Sequence, residues 1–247
     1  MDYLYDGTFE GFLCCVHAHY YGEKANGISK KECYQSNLLS GFREVKTDEI
    51  NAAKVYDAIE KKISPSDIRR VYGVFLSDYP EKEMKLLKYI ELGFKHGPKI
   101  RLLHSDQVVF DVQQIEKKVY HEVHRLSGLI RFKALKSGVL YSPIEPDNDV
   151  CELLAKHFCD RFKNDPFIIH DKKRSKALIA SGGDFYITEF DSKETPELFE
   201  DECDFQKLWK KYFDTIAIKE RTNPRCQKNF MPVRYWKNLT EKTTCAD

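Results

Sequence analysis

Two segments of helical period carry cationic residues where the pattern asks for apolar ones. Over residues 106–126, Val108, Val112, Ile115, Val119, Val123 and Leu126 recur at helical spacing. On a wheel of about 100° per residue, Arg125 falls inside that stripe and Glu122 at its edge. Over residues 147–162 the face is Val150, Leu154, Phe158 and Phe162, and His157 and Arg161 fall inside it. A buried guanidinium needs an anion and acceptors for its five donors. Either Glu122, Asp160 or Asp171 supplies them internally, or the arginines line a cleft that receives a phosphate or carboxylate.

Two further stretches concentrate basic groups. His170-Asp171-Lys172-Lys173-Arg174-Ser175-Lys176 follows an apolar strand, and strand ends favour ligands; a solvated loop is the plainer reading. Arg221-Thr222-Asn223-Pro224-Arg225, then Arg234-Tyr235-Trp236-Lys237, interleave arginine with aromatic rings. That mixture suits phosphate contacts with base stacking, and equally a tail packed on its own domain. His157 or Asp171 could serve as acid or base if the protein is an enzyme acting on nucleic acid.

Other chemistries find little support. His121 and His124 share a helix face without a third ligand and read as solvated. The eight cysteines, Cys245 among them, contain no C-x-x-C and fit no zinc or iron–sulfur spacing, so reduced, packed thiols are expected. Phosphate-loop, dinucleotide, nucleophile-elbow and zincin patterns are absent. No metal or cofactor is expected. The net charge of +1 gives no global pull on a polyanion, so any such site must be a local basic patch. No apolar run reaches a membrane span, and Met1–Gly7 lacks a leader pattern, which together predict a cytoplasmic protein with no membrane partner.

The elements that must position these residues begin with a short strand at Tyr3-Leu4-Tyr5. A helix capped by Thr8 follows, with Phe9, Phe12, Leu13, Val16 and Tyr20 on one face. Residues 22–47 are polar and Gly-containing and read as one strand or as irregular chain. Helices are predicted after Thr47-Asp48, after Ser64-Pro65 and from Glu81 to Phe94. Gly97-Pro98 is the expected boundary, giving a mostly helical region 1–98 and an α+β domain 99–247, or one continuous unit. After the 106–126 helix, Leu129–Phe132 and Gly138–Ser142 read as a hairpin. Asp147 or Asp149 is expected to cap the next helix. Phe167–His170 reads as a central strand and Phe185–Thr188 as another. Phe205, Leu208, Trp209, Tyr212, Phe213 and Ile216 mark an amphipathic helix, Asn223-Pro224 opens a further one, and Pro232 a last short turn. The fold class is α+β: a helical N-terminal part, then an antiparallel or mixed sheet packed with helices.

Several of these residues recur in a pattern. Tyr5-Asp6-Gly7-Thr8-Phe9-Glu10-Gly11-Phe12, Glu122-Val123-His124-Arg125 with Arg131-Phe132, and His157-Phe158-Cys159-Asp160-Arg161-Phe162 form its first part. Ile169-His170-Asp171-Lys172-Lys173-Arg174, Trp209–Phe213, Arg221–Arg225 and Met231–Trp236 complete it. In order and spacing they resemble the bacterial family of probable DNA-metabolism proteins containing the domain of unknown function 4130. His170 departs from the tyrosine expected there. The resemblance implies an accessory role in DNA modification or repair beside a radical SAM protein, with that protein and DNA as partners. Binding would use an arginine-rich cleft of Arg125, Arg161 and Arg174, with Arg221, Arg225 and Arg234 at its margin. A hydrolase or glycosylase-like enzyme and a scaffold without DNA contact are the alternatives. The chain lacks the C-x-x-x-C-x-x-C arrangement of radical SAM enzymes, so it is not expected to hold their cluster.

Overall fold

The computed structural model describes residues 1–35, 41–190 and 197–243. It divides into two compact units, Met1–Tyr120 and His121–Asp247.

The first unit is built on a three-stranded parallel sheet. Strand β1 (Asp2–Tyr5) lies between β2 (Gly27–Lys30) and β3 (Phe42–Glu44). The two outer strands, β2 and β3, are short and lie in polar chain, which is why residues 22–47 show so little period-2 signal. Four helices accompany the sheet, and the first three begin at the expected side-chain caps. Thr8 Oγ1 accepts from Gly11 N at 3.0 Å before α1 (Phe9–Tyr21). Asp48 Oδ1 accepts from Asn51 N at 2.8 Å before α2 (Glu49–Lys62). Ser64 caps α3 (Pro65–Phe75), whose proline sits in the first turn. The fourth, α4 (Lys82–His96), ends on Gly97 at φ 60°. Tyr5, Phe9, Phe12 and Phe75 form an aromatic cluster in the core, with ring centroids 5.2–6.5 Å apart.

Gly11 has no room for a side chain. An added Cβ would lie 2.4 Å from Asp6 Oδ1 and 2.9 Å from Thr47 Oγ1. Those side chains hydrogen-bond each other: Thr47 Oγ1 donates to Asp6 Oδ2 at 2.7 Å, and Thr8 N and Oγ1 donate to Asp6 Oδ1. We expect Gly11→Ala to lower the melting temperature by several degrees, because the cluster must open; a thermal melt within a degree of wild type would contradict this.

The fifth helix, α5 (Gln107–Leu129), begins in the first unit and ends in the second. Ile100, Val109, Val112 and Ile115 join the first unit's core, and that unit runs to Tyr120.

The second unit carries a five-stranded mixed sheet of order β4-β5-β6-β7-β8. Its strands are β4 (Lys133–Ala134), β5 (Leu140–Ile144), β6 (Phe167–Asp171), β7 (Lys176–Ser181) and β8 (Asp184–Glu189). The pair β5–β6 is parallel and the others are antiparallel. Helix α6 (Cys151–Arg161) makes the crossover between the parallel pair. Phe132, Phe158, Phe162 and Phe167 meet beneath it, with centroids 4.9–6.3 Å apart. After β8 come α7 (Glu202–Ile216), α8 (Pro224–Phe230) capped by Asn223, and a 3-10 turn at Val233–Asn238. Among the described residues no helix is long and apolar enough to cross a membrane.

Three local expectations are corrected. Leu129 ends α5 and Ile130–Phe132 is loop, so the hairpin's first strand is only Lys133–Ala134. The helix persists because Ile130 N still donates to Leu126 O at 3.0 Å, and Arg131 Nη1 donates to Gly128 O at 2.9 Å at its end. Neither Asp147 nor Asp149 caps α6. Val150 holds the cap position without a side-chain bond, while Asp147 and Asp149 pair with Arg234 and Lys176. Finally, the charge run His170–Lys176 is not one loop: it spans the end of β6, a tight turn at Lys172–Ser175 and the start of β7, a strand the charges conceal.

Candidate nucleic-acid interface

The polar residue inside α5's buried stripe is Glu122. The stripe is Val112, Ile115, Val119, Glu122 and Leu126, and Glu122 is 3% exposed. Its carboxylate accepts from Asp147 N at 2.8 Å, Asn148 N at 2.9 Å, Asn148 Nδ2 at 2.7 Å and Tyr235 OH at 2.6 Å. Arg234 Nη2 adds a longer bond at 3.4 Å. Burial alone would raise its pKa, but these donors hold it below the usual glutamate value.

From Glu122 the network extends through the 145–149 loop. Arg234 Nη1 meets Asp147 Oδ2 at 2.6 Å, and Lys237 pairs with Glu145. From the other side Arg174 donates to the carbonyls of Pro146 and Asp147. Arg174 Nη1 also pairs at 2.9 Å with Asp171, which has no exposed surface. Asp171 Oδ1 accepts from Lys173 N at 2.9 Å and Arg174 N at 3.3 Å, closing the β6–β7 turn. Burial pushes the Asp171 carboxyl up despite Arg174. The structure thus brings Asp171, Arg174 and Arg234 together, each engaged by groups of its own chain.

The other candidates lie elsewhere. His157 and Arg161 are exposed on α6, not inside its face; that face is Cys151, Leu154, Ala155, Phe158 and Cys159. His157 stands edge-on to Phe158, and the Arg161 guanidinium lies 5.4 Å from the Phe162 ring. Arg125 is half-buried, and Arg221 and Arg225 are exposed. Among the described residues Arg125, Arg161, Arg221 and Arg225 have no ion pair. His121 and His124 are only partly or not at all buried, as a polar face requires.

A second constellation was not singled out from the sequence. Arg131 is clamped on Glu241, with Nε–Oε2 3.1 Å and Nη2–Oε1 2.7 Å. Trp209 Nε1 donates to Glu241 Oε2 at 3.2 Å, and the Arg131 guanidinium lies 5.8 Å from the Trp209 ring. Despite burial, Arg131 and Trp209 hold the Glu241 carboxyl below its usual value. Trp209 nevertheless remains 41% exposed, and Phe205, Leu208, Tyr212 and Ile216 on the same face of α7 are more open still. The helix pattern predicted the stripe but not that it would be uncovered. From Lys207 to Lys228 the chain carries seven lysines and arginines against two acidic residues. It is a local basic stretch in a chain whose formal net charge is only +1.

The thiols divide by burial. Burial pushes Cys15 and Cys151 up to about 12, whereas Cys33 and Cys226 are exposed; Cys245 lies outside the described residues. Native protein at pH 7.5 should take maleimide at Cys33 and Cys226 and spare Cys15 and Cys151, as read by peptide mass spectrometry. Rapid labelling of Cys151 would contradict its packing.

The model of a family described as "Domain of unknown function (DUF4130)" matches residues 80–241. No curated protein sequence matches this chain. Among solved structures, a pGpG-specific phosphodiesterase, PggH from Vibrio cholerae, aligns with a TM-score of 0.35 at 8% identity, over 87% of this chain and 99% of that one. A likeness that weak supports no statement about activity.

Proposed function

This chain belongs to the DUF4130 family, and on that premise we propose that it is an accessory, non-catalytic protein that binds nucleic acid through its basic C-terminal segment. The observation that carries this reading is the exposed run Lys207–Lys228, in which Arg221 and Arg225 have no carboxylate partner among the described residues. Exposed arginines without a partner are available to phosphate oxygens as forked donors. Arg161, open on α6, is available in the same way. Arg174 and Arg234 instead position the 145–149 loop, and their role is structural. The rival hydrolase or glycosylase-like reading is less well supported, because Asp171 is closed off and engaged by Arg174.

The test is binding of labelled single-stranded and duplex DNA at low salt. The wild type should bind with a salt-dependent affinity. The Arg221→Ala/Arg225→Ala variant should bind more weakly, and its slope of log K against log salt should be shallower by roughly 0.7–0.9 for each phosphate it leaves unneutralised. Absence of binding to either form at low salt would overturn the proposal.

One observation favours a second reading. Strand β8 is a sheet edge, and its Phe185, Tyr186 and Ile187 are exposed. Such an edge suits an added strand from a protein partner, and the radical SAM protein expected of this family is the candidate. A stable co-purified pair, disrupted by Tyr186→Lys, in which this chain alone binds no DNA, would favour it over the first.

A further inference from the structure

We propose that α7 carries a base-stacking platform for single-stranded nucleic acid, centred on Trp209. The inference rests on the nucleic-acid reading above and specifies its ligand.

The first support is pre-orientation. The Trp209 N–H is held by Glu241, and Arg131 lies against the ring while itself gripped by both oxygens of that carboxylate. Arg131 also donates to the carbonyls of Gly128 and Ile130. An indole fixed on one side by a closed ion pair and open on the other loses little freedom when a flat partner stacks on it.

The second is repetition. Phe205, Trp209 and Tyr212 fall at i, i+4 and i+7 on one exposed face. An α-helix spaces them by about 6 and 4.5 Å along its axis. The Trp209 and Tyr212 centroids are 5.8 Å apart, with planes tilted by 38°. Successive splayed bases could each meet a ring at such intervals.

The third is charge. Lys210 and Lys211 flank the stripe, and Lys219, Arg221, Arg225 and Lys228 continue beyond it; none of these six has an ion pair among the described residues. An apolar groove of a partner protein would have no use for so many uncompensated cations. A strand of unpaired bases needs both rings and cations, because it presents flat apolar faces beside regularly spaced phosphates. A duplex keeps its base faces stacked inside and cannot use the rings.

The experiment is fluorescence anisotropy of the full chain with a labelled twelve-nucleotide dT strand and with a duplex of equal length. Wild type should prefer the single strand. Trp209→Ala should weaken that binding by roughly tenfold or more, the worth of one stacked base, while the salt slope stays as in wild type. Trp209→Phe, which keeps a ring but loses the bond to Glu241, should recover part of the affinity, and a melting temperature of Trp209→Ala matching that of Trp209→Phe separates the loss of stacking from a folding defect. Equal binding of both forms, unaffected by Trp209→Ala, overturns the platform and leaves the nucleic-acid reading intact. Binding to neither form overturns both. A concentration-dependent dimer that Trp209→Ala converts to monomer also overturns the platform, assigning the stripe to a second copy.

Discussion

Glu122→Ala should destabilise the second unit by about 3–5 kcal/mol, the range for removing one member of a buried charged network. The substitution leaves the N–H groups of Asp147 and Asn148 and the Tyr235 hydroxyl without their acceptor, and it frees Arg234 from one of its two carboxylates. Each unmade bond to a buried donor costs about 1–3 kcal/mol. Against a domain stability of about 5–15 kcal/mol, such a loss brings unfolding close to ambient conditions. Urea unfolding followed by hydrogen exchange should show protection lost across β5–β7 and retained around β1. A midpoint shift equivalent to less than about 1 kcal/mol would mean the loop is held by other groups. The pH dependence carries a definite sign. The Glu122 pKa is lowered by folding from its ordinary 4.5, so its contribution is fully present above that value and is lost as pH falls through the folded pKa. Glu241 acts in the same direction. Asp171, raised by burial from 3.8, acts oppositely: its contribution is present at lower pH and lost as pH rises through its folded value. The net acid sensitivity below about pH 4.5 should therefore become shallower in Glu122→Gln.

In the first unit, Arg70→Ala should cost a similar amount, about 3–5 kcal/mol. Asp67 has no exposed surface, and Arg70 Nη1 donates to its Oδ1 at 2.6 Å and to Tyr89 OH at 2.8 Å. Arg70 Nε reaches Glu116 at 2.6 Å on α5. Tyr89 OH and Ser64 Oγ also donate to Asp67, so the network ties α3, α4 and α5 together. Without the guanidinium, Asp67 keeps only neutral donors, and Glu116 loses its counter-charge. Arg70→Lys should fall between, because one ammonium cannot reproduce the forked geometry across three partners. Chemical denaturation of the three proteins should order them wild type, lysine, alanine. An alanine variant as stable as wild type would show that Tyr89 and Ser64 suffice for Asp67.

On α5 the buried polar residue is Glu122, whereas the apolar period points to Arg125. Val108 and Val109 are adjacent, as are Glu122 and Val123, so apolar periodicity alone could not fix the rotation of the stripe. Packing resolved it toward Val109 and Glu122, because Glu122 alone could collect the donors of the 145–149 loop and Tyr235. On α6, weighting Leu154, Phe158 and Phe162 drew Arg161 into the face. Cys151, Ala155 and Cys159, small enough to pack closely, set the true one. Strand β7 gives no clear sequence signal, because the charged turn Lys172–Ser175 and Lys176 at its start have the composition of a loop.

What this sequence settles by itself is local: the caps at Thr8, Asp48, Ser64 and Asn223, the helices they begin, the central position of β6 and the apolar stripe of α7. Those features depend on groups within about four residues of one another, where backbone geometry dictates who can meet. Which charges find each other was decided only by the tertiary structure. Glu122 meets Tyr235 across 113 positions and Arg131 meets Glu241 across 110. No short-range rule distinguishes those carboxylates from the chain's other acidic residues. Burial selects them, because a charge removed from water must be matched wherever the fold brings a partner. The same holds for the open face of α7: its period follows from the residues, and its exposure from what the rest of the chain leaves uncovered.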